Sequence, residues 1–133
     1  MRCLLDTHAF LWALSSPAKL PRRVAQIIQE PEHEVFLSAV SIWEAAIKLR
    51  SGRLALDGRK ATDLLNEADD MNVRLISLEP AEAASHVALT EDTHFDPFDR
   101  MLIWQAISRD LVLVSGDAEF KKFAADGLKL LWN

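Results

Sequence analysis

Four carboxylates occupy positions from which they can do chemistry: Asp6, Glu44, Asp99 and Asp117. Asp6 directly follows the apolar residues Leu4 and Leu5, and Asp117 comes just after Leu111 to Val114, across Ser115 and Gly116. Glu44 and Asp99 fall in the opening turns of segments with helical periodicity. Two carboxylates about 4 Å apart repel by roughly 4 kcal/mol at an effective dielectric of 20, so several gathered together require cations or protons. Oxygen ligands suit a hard ion, Mg²⁺ or Mn²⁺, and no Cys or His set has zinc spacing. Acids around such an ion can activate water and orient a phosphodiester for in-line attack.

Each acid also has a simpler use. Asp6 and Asp117 can accept backbone N–H groups at helix starts. Ser41 and Glu44 have the Ser-x-x-Glu form of a capping box, and Glu44 can instead pair with Lys48 one turn on. Asp96 followed by Pro97 reads as an N-cap with proline at the first helical position. Asp99 is then not needed for the cap and is free to face a cleft, ahead of the apolar set Met101, Leu102, Ile103, Ala106 and Ile107.

These acids need elements that position them. The pattern predicts strands at Arg2 to Leu5, Glu34 to Ser38, Val73 to Leu78 and Leu111 to Val114, with an edge strand at Leu128 to Trp132. Between them it predicts helices at Thr7 to Leu14, Pro21 to Gln29, Ser41 to Arg50, Ala61 to Met71, Pro80 to Thr90, Asp96 to Ser108 and Asp117 to Ala125. Alternation of this kind makes an α/β fold, a three-layer sandwich with a mainly parallel central sheet. In such sheets, sites form beyond the carboxyl ends of the strands, where Asp6 and Asp117 fall. With half of its 133 residues hydrophobic and no linker, charge block or repeat, the chain is expected to form a single domain over residues 1–133.

Composition excludes several classes. Asp6 and His8 interrupt the apolar start, which argues against a signal segment. No other uncharged stretch approaches the roughly 18 residues that span a bilayer. Cys3 is the single cysteine and cannot form an internal disulfide, so a cytoplasmic, reduced setting is expected. The net charge of −5 argues against binding nucleic acid by bulk electrostatics. Bound cations would reverse the local field, however, and Arg22, Arg23, Lys48, Arg50, Arg53, Arg59 and Lys60 concentrate in the first half. Trp12, Trp43 and Trp104 read as core or subunit contacts rather than base-stacking platforms. Of the histidines, His8 reads as a packing or supporting group and His33, His86 and His94 as solvated.

Taken together, four segments resemble the PIN domain nucleases, and among them the VapC toxins of bacterial toxin and antitoxin pairs. They are Leu5-Asp6-Thr7-His8 with Leu11-Trp12, Ser41-Ile42-Trp43-Glu44 with Ile47-Lys48, Asp96-Pro97-Phe98-Asp99-Arg100 with Gln105-Ala106, and Leu113-Val114-Ser115-Gly116-Asp117. The resemblance covers essentially the whole chain. It implies a PIN-like fold, metal-binding acids at Asp6, Glu44, Asp99 and Asp117, and a hydroxyl at Ser115 that helps order the site. Thr7 supports Asp6 in the same way, and Asp96 is a second acid beside Asp99. The activity it implies is cleavage of RNA by Mg²⁺- or Mn²⁺-activated water, leaving 5′ phosphate and 3′ hydroxyl ends. The partners it implies are an RNA substrate, a cognate VapB-type antitoxin and a second copy of the chain in a homodimer, with no membrane. Lys48, Arg50 and Arg53, with Arg100 beside Asp99, are the candidate phosphate contacts. Two other readings compete: a receiver-type Mg²⁺ phosphoacceptor, which lacks here its acidic neighbour to Asp6 and its Lys near Asp117, and a PIN-like module without catalysis.

Overall fold

A computed structural model of the chain describes residues 1–133. Five strands form one sheet in the order β3-β2-β1-β4-β5, and every neighbouring pair is parallel. They are β1 (Arg2–Leu5), β2 (Glu34–Ser38), β3 (Val73–Ile76), β4 (Val112–Val114) and β5 (Leu130–Leu131). The α-helices are α1 (Thr7–Ser15), α2 (Arg22–Gln29), α3 (Ala39–Arg50), α4 (Asp63–Asp70), α5 (Pro80–Ser85) and α6 (Pro97–Ser108).

The three layers follow from strand alternation, which sends successive side chains to opposite faces. Cys3, Leu5, Val35, Leu37 and Val73 point to one face and pack under α1, α2 and α4 through Phe10, Val24, Ile27 and Leu64. Leu4, Phe36 and Leu113 point to the other and pack under α6 and the C-terminal segment through Leu102, Ile103, Phe120 and Phe123. Both faces being covered, the stretches Cys3 to Leu5, Val35 to Leu37 and Val112 to Val114 of the central strands are apolar without alternation, as a parallel sheet requires.

Chain order sets where a site can form. From β1 the chain moves outward to β2 and β3 on one side, then returns to place β4 and β5 on the other. The carboxyl ends of β1 and β4 therefore flank the point where strand order reverses, the place where open α/β sheets bind ligands. Leu5 pairs with Val114, and the Asp6 N–H donates to the Val114 carbonyl at 3.0 Å, so the residues after both strands emerge side by side.

Several boundaries differ from the sequence expectation. The third helix starts at Ala39, because the Ser38 hydroxyl accepts the Val40 N–H at 3.0 Å and caps the helix directly from the strand. Ser41 and Glu44 thus lie inside α3 and form no capping box. The helix expected over Pro80 to Thr90 ends at Ser85, and His86–Ala88 tightens into a 3₁₀ turn that delivers buried Leu89 to the core. The segment after Asp117 is a 3₁₀ run over Ala118–Asp126, and Pro17–Lys19 adds a 3₁₀ turn that the periodicity does not announce. The last strand shrinks to two residues.

A buried polar chain locks α5 and α6 against the end of β2. Ser38 donates to Gln105 Oε1 at 2.5 Å, and Gln105 Nε2 donates to Glu82 Oε1 at 3.0 Å and to the Ser77 carbonyl at 3.2 Å. Arg109 closes the chain on both Glu82 oxygens at 2.7 and 2.9 Å. The Arg109 guanidinium holds the Glu82 carboxyl well below its ordinary value near 4.5, at about 2. Glu82→Ala would strand Gln105 and Arg109 without their acceptor, so urea denaturation at neutral pH should show a loss of about 3 kcal/mol. A depressed carboxyl contributes fully above its unfolded value and is lost as pH falls through the folded one. The gap between wild type and variant should therefore narrow as pH falls from about 4.5 toward 2.

Candidate active site

Asp6 leaves β1 and enters α1, where its Oδ1 accepts the Ala9 N–H at 2.7 Å. It is 6% exposed, and burial pushes its carboxyl up. The Ser115 hydroxyl and the Ala9 N–H favour the ionised form, while the nearby Glu44 charge opposes it. Asp6 is thus both a helix cap and an unneutralised acid.

Glu44 sits in the middle of α3 at 4% exposure and is fully partnered. Thr7 Oγ1 donates to Glu44 Oε1 at 2.6 Å, and Lys48 Nζ donates to Oε2 at 2.7 Å. The Ser41 hydroxyl lies 3.0 Å from Thr7 Oγ1. Thr7 accordingly supports Glu44, where sequence placed it beside Asp6 alone.

Asp99 follows Asp96 at the start of α6, and Asp96 Oδ1 accepts the Asp99 N–H at 3.0 Å as an N-cap. The Asp99 carboxylate meets His94 Nε2 at 2.9 Å. Burial, then the charges of Asp96 and Glu44, push its carboxyl up to about 6 against the pull of His94. His94 is not solvated as expected. Its ring stands edge-on to Phe120 and Phe123 with centroids 5.7 and 5.8 Å away, and Glu91 accepts its backbone N–H. A histidine in a loop without periodicity carries no sequence signal of such a role.

Arg100 is also employed differently from expectation. Its Nη1 donates to the Glu91 and His94 carbonyls at 2.8 and 2.9 Å, and its guanidinium lies over Phe123. It clamps the loop that presents His94, which occupies its donors locally.

Asp117 is exposed and caps the 3₁₀ run, accepting the Glu119 N–H at 2.9 Å. Its own N–H donates to Ser115 Oγ at 3.1 Å, so Ser115 ties Asp117 to Asp6. Asp6 and Asp117 line one cavity of about 490 Å³. Thr7, Lys48 and Arg53 line an adjoining one of about 360 Å³, and His8, exposed rather than packed, opens onto both. Arg50 is exposed and lines neither.

Charge coupling links Glu44 to both Asp6 and Asp99, while Asp117 stands on the far side of Ser115. No three of these acids have their oxygens within 4.8 Å of one another; the trio that does is Glu30, Glu32 and His33, at the opposite end of the sheet. A concavity of about 830 Å³ beside β3 contains none of the four. The donor chemistry fits a hard divalent ion. The acids are carboxylates only, Asp6 and Asp99 are both held up by burial and by the Glu44 charge, and Lys48 supplies the one ammonium bonded among them.

A parallel α/β sandwich with acids gathered where its strand order reverses is the class that fold and site define. The chain belongs to the PIN domain family, whose model matches residues 3–126. It is similar to Ribonuclease VapC22 of Mycobacterium tuberculosis, with 30% identity over 118 residues, 89% of this chain and 88% of that one. In fold it is similar to VapBC2 from Rickettsia felis bound to a DNA fragment from their promoter, with a TM-score of 0.72 at 15% identity and 100% of each chain covered. A toxin-antitoxin complex from Klebsiella pneumoniae aligns with a TM-score of 0.56 at 17% identity over 92% of this chain and 90% of that one. The receiver-type reading is overturned by membership of this family.

Asp99 yields a test of the electrostatics without any substrate. A carboxyl raised in the folded chain binds its proton more tightly there, so ionising it opposes folding. In chelator, the protein should lose stability as pH rises from about 3.8 through about 6. Asp99→Asn should flatten that slope and gain on the order of 1–3 kcal/mol at neutral pH by thermal or urea unfolding.

Proposed function

We propose that the chain is a metal-dependent endoribonuclease acting as the toxin of a toxin and antitoxin pair. The observation that carries this reading is the set of Asp6 at the end of β1, Glu44 inside α3 and Asp99 in the first turn of α6, in which the Glu44 charge opposes ionisation of both Asp6 and Asp99. Such a set is costly without a cation, and the cost is balanced when one binds.

Asp6, Glu44, Asp99 and Asp117 would hold the ion, Mg²⁺ or Mn²⁺. When bound, it supplies Lewis-acid activation of water and charge stabilisation at the phosphorus. The chain's residues do the rest. Ser115 and the Ala9 N–H favour the ionised form of Asp6 against its burial, Thr7 and Lys48 fix the two Glu44 oxygens, and His94 fixes one oxygen of Asp99, leaving the other free. Lys48 and Arg53, on the wall of the adjoining cavity, would meet the phosphates of the strand, and Arg50, exposed at the end of α3 outside that cavity, would meet a phosphate farther along it. Cys3 is buried in β1 and takes no part.

The structural neighbours from Rickettsia felis and Klebsiella pneumoniae are a VapBC assembly and a toxin-antitoxin complex, which supports a VapB-type partner for this chain. Trp43, 57% exposed, and Phe95, 80% exposed, lie on or beside the elements that carry Glu44 and Asp99 and offer apolar area to that partner or to a second copy in a homodimer. No helix is long and apolar enough to cross a membrane.

Asp6→Asn should abolish RNA cleavage while the variant keeps its fold by circular dichroism. Chelator should do the same to the wild type, with activity restored by Mg²⁺ or Mn²⁺ and new 5′ phosphate ends in the products. Full activity in the variant overturns the proposal. Arg53→Glu should weaken RNA binding and make log Kd less steep in log salt by about one contact.

A further inference from the structure

The cavity that contains Asp6 and Asp117 has an aromatic wall that the acids do not use. Trp12 of α1 and Trp132, just after β5, pack with ring centroids 5.9 Å apart and planes tilted by 51°. Both are only partly buried. Trp132 lies directly over Gly116, and a Cβ there would fall 2.7 Å from the indole Cε2. The missing side chain is what lets the indole reach the turn that carries Asp117. Lys19 places its ammonium 5.5 Å from the Trp12 ring centroid and lines the same cavity. The volume of about 490 Å³ lies in the range of roughly 300 to 1,000 Å³ typical of small-ligand sites.

We propose that this wall is a nucleobase subsite: the base of a nucleotide flanking the scissile phosphodiester stacks on Trp132, with Trp12 behind it and Lys19 meeting that nucleotide's phosphate. This rests on the reading of the chain as an RNA-cleaving enzyme. Every base has a π face, so an indole holds a strand with little sequence preference, and a neighbouring cation tracks the backbone. The sequence expectation for Trp12 as a core contact is met by one part of its ring only, since Trp12 also faces the cavity. The competing occupant, a cationic side chain of a protein partner, would be drawn to Asp6 and Asp117 but set against Lys19. A polynucleotide matches both ends of the cavity, its phosphate at Lys19 and its scissile group at the acids. Trp43 and Trp104 do not line it: Trp43 packs edge-on to Phe98, and Trp104 donates to Ser85.

The test uses the Asp6→Asn protein and a fluorescently labelled single-stranded oligoribonucleotide of mixed sequence, with Kd read by anisotropy. Trp132→Ala should weaken binding about tenfold, and Trp132→Phe should restore most of it. Lys19→Ala should weaken binding several-fold and reduce the salt slope. In the otherwise wild-type enzyme, Trp132→Ala should raise KM more than it lowers kcat. Unchanged Kd in both Trp132→Ala and Lys19→Ala overturns the subsite. So does a triarginine peptide whose binding depends on Trp132 while that of the oligonucleotide does not, which would assign the wall to a protein partner. If Trp132→Ala fails to fold, Trp132→Leu, which keeps an apolar side chain but no aromatic face, paired with exposed Lys19→Ala decides by the same measurement. A wild-type chain that cleaves no RNA with Mg²⁺ or Mn²⁺ would instead overturn the ribonuclease reading, so the two failures are distinguishable.

Discussion

Mutual repulsion among carboxylates brought together from the end of β1, the middle of α3 and the start of α6 is the constraint around which the site is arranged. Burial and the charge of Glu44 push Asp6 and Asp99 toward their protonated forms, and each is met by a small set of donors that opposes this without neutralising it. Ser115 and the Ala9 N–H serve Asp6, Thr7 and Lys48 serve Glu44, and His94 serves Asp99. The outcome is a site with fixed ligand oxygens and unspent negative charge, which is what a divalent cation requires of its host. Under the proposed function, the acidic balance of the whole chain is compatible with a polyanionic substrate, because a bound ion would reverse the sign of the field at the acids.

Holding such charges apart at fixed distances demands a rigid support. The sheet provides it through apolar strands covered on both faces, and the Ser38–Gln105–Glu82–Arg109 chain extends that rigidity to the helices. Ser38 caps α3, which carries Glu44, while Gln105 belongs to α6, which carries Asp99. One hydroxyl thus joins the two helices whose acids must stay close. Buried networks of this kind are stabilising only when every member is satisfied, and here each donor has its acceptor.

The cationic and aromatic residues around the acids divide into two functions that their types alone do not separate. Arg100 and His94 turn inward and build the loop before α6, whereas Lys48, Arg53 and Lys19 border the open cavities. Trp43 and Trp104 pair with neighbours on the helical layer, and Trp12 and Trp132 border the acids. Position relative to the strand ends, rather than residue type, separates a group that can meet substrate from one that holds the frame.

The sequence by itself determined the strand and helix alternation, the placement of Asp6 and Asp117 just beyond apolar strands, and the use of Asp96 as a cap that releases Asp99. All of these are local patterns, legible within a few residues. Tertiary structure decided what the local pattern left open. Glu44 lies inside α3 because Ser38 caps the helix, its Oε1 instead meets Thr7, 37 residues away, and Gln105 meets Ser38 across 67 residues. His94 lies only five residues from Asp99, yet its loop has no periodicity from which the contact could be read. The indole of Trp132 reaches Gly116 only once β5 has joined β4. Propensity and patterning act over a turn of helix or a pleat of strand, whereas a side chain's partner across the fold depends on how all the layers pack.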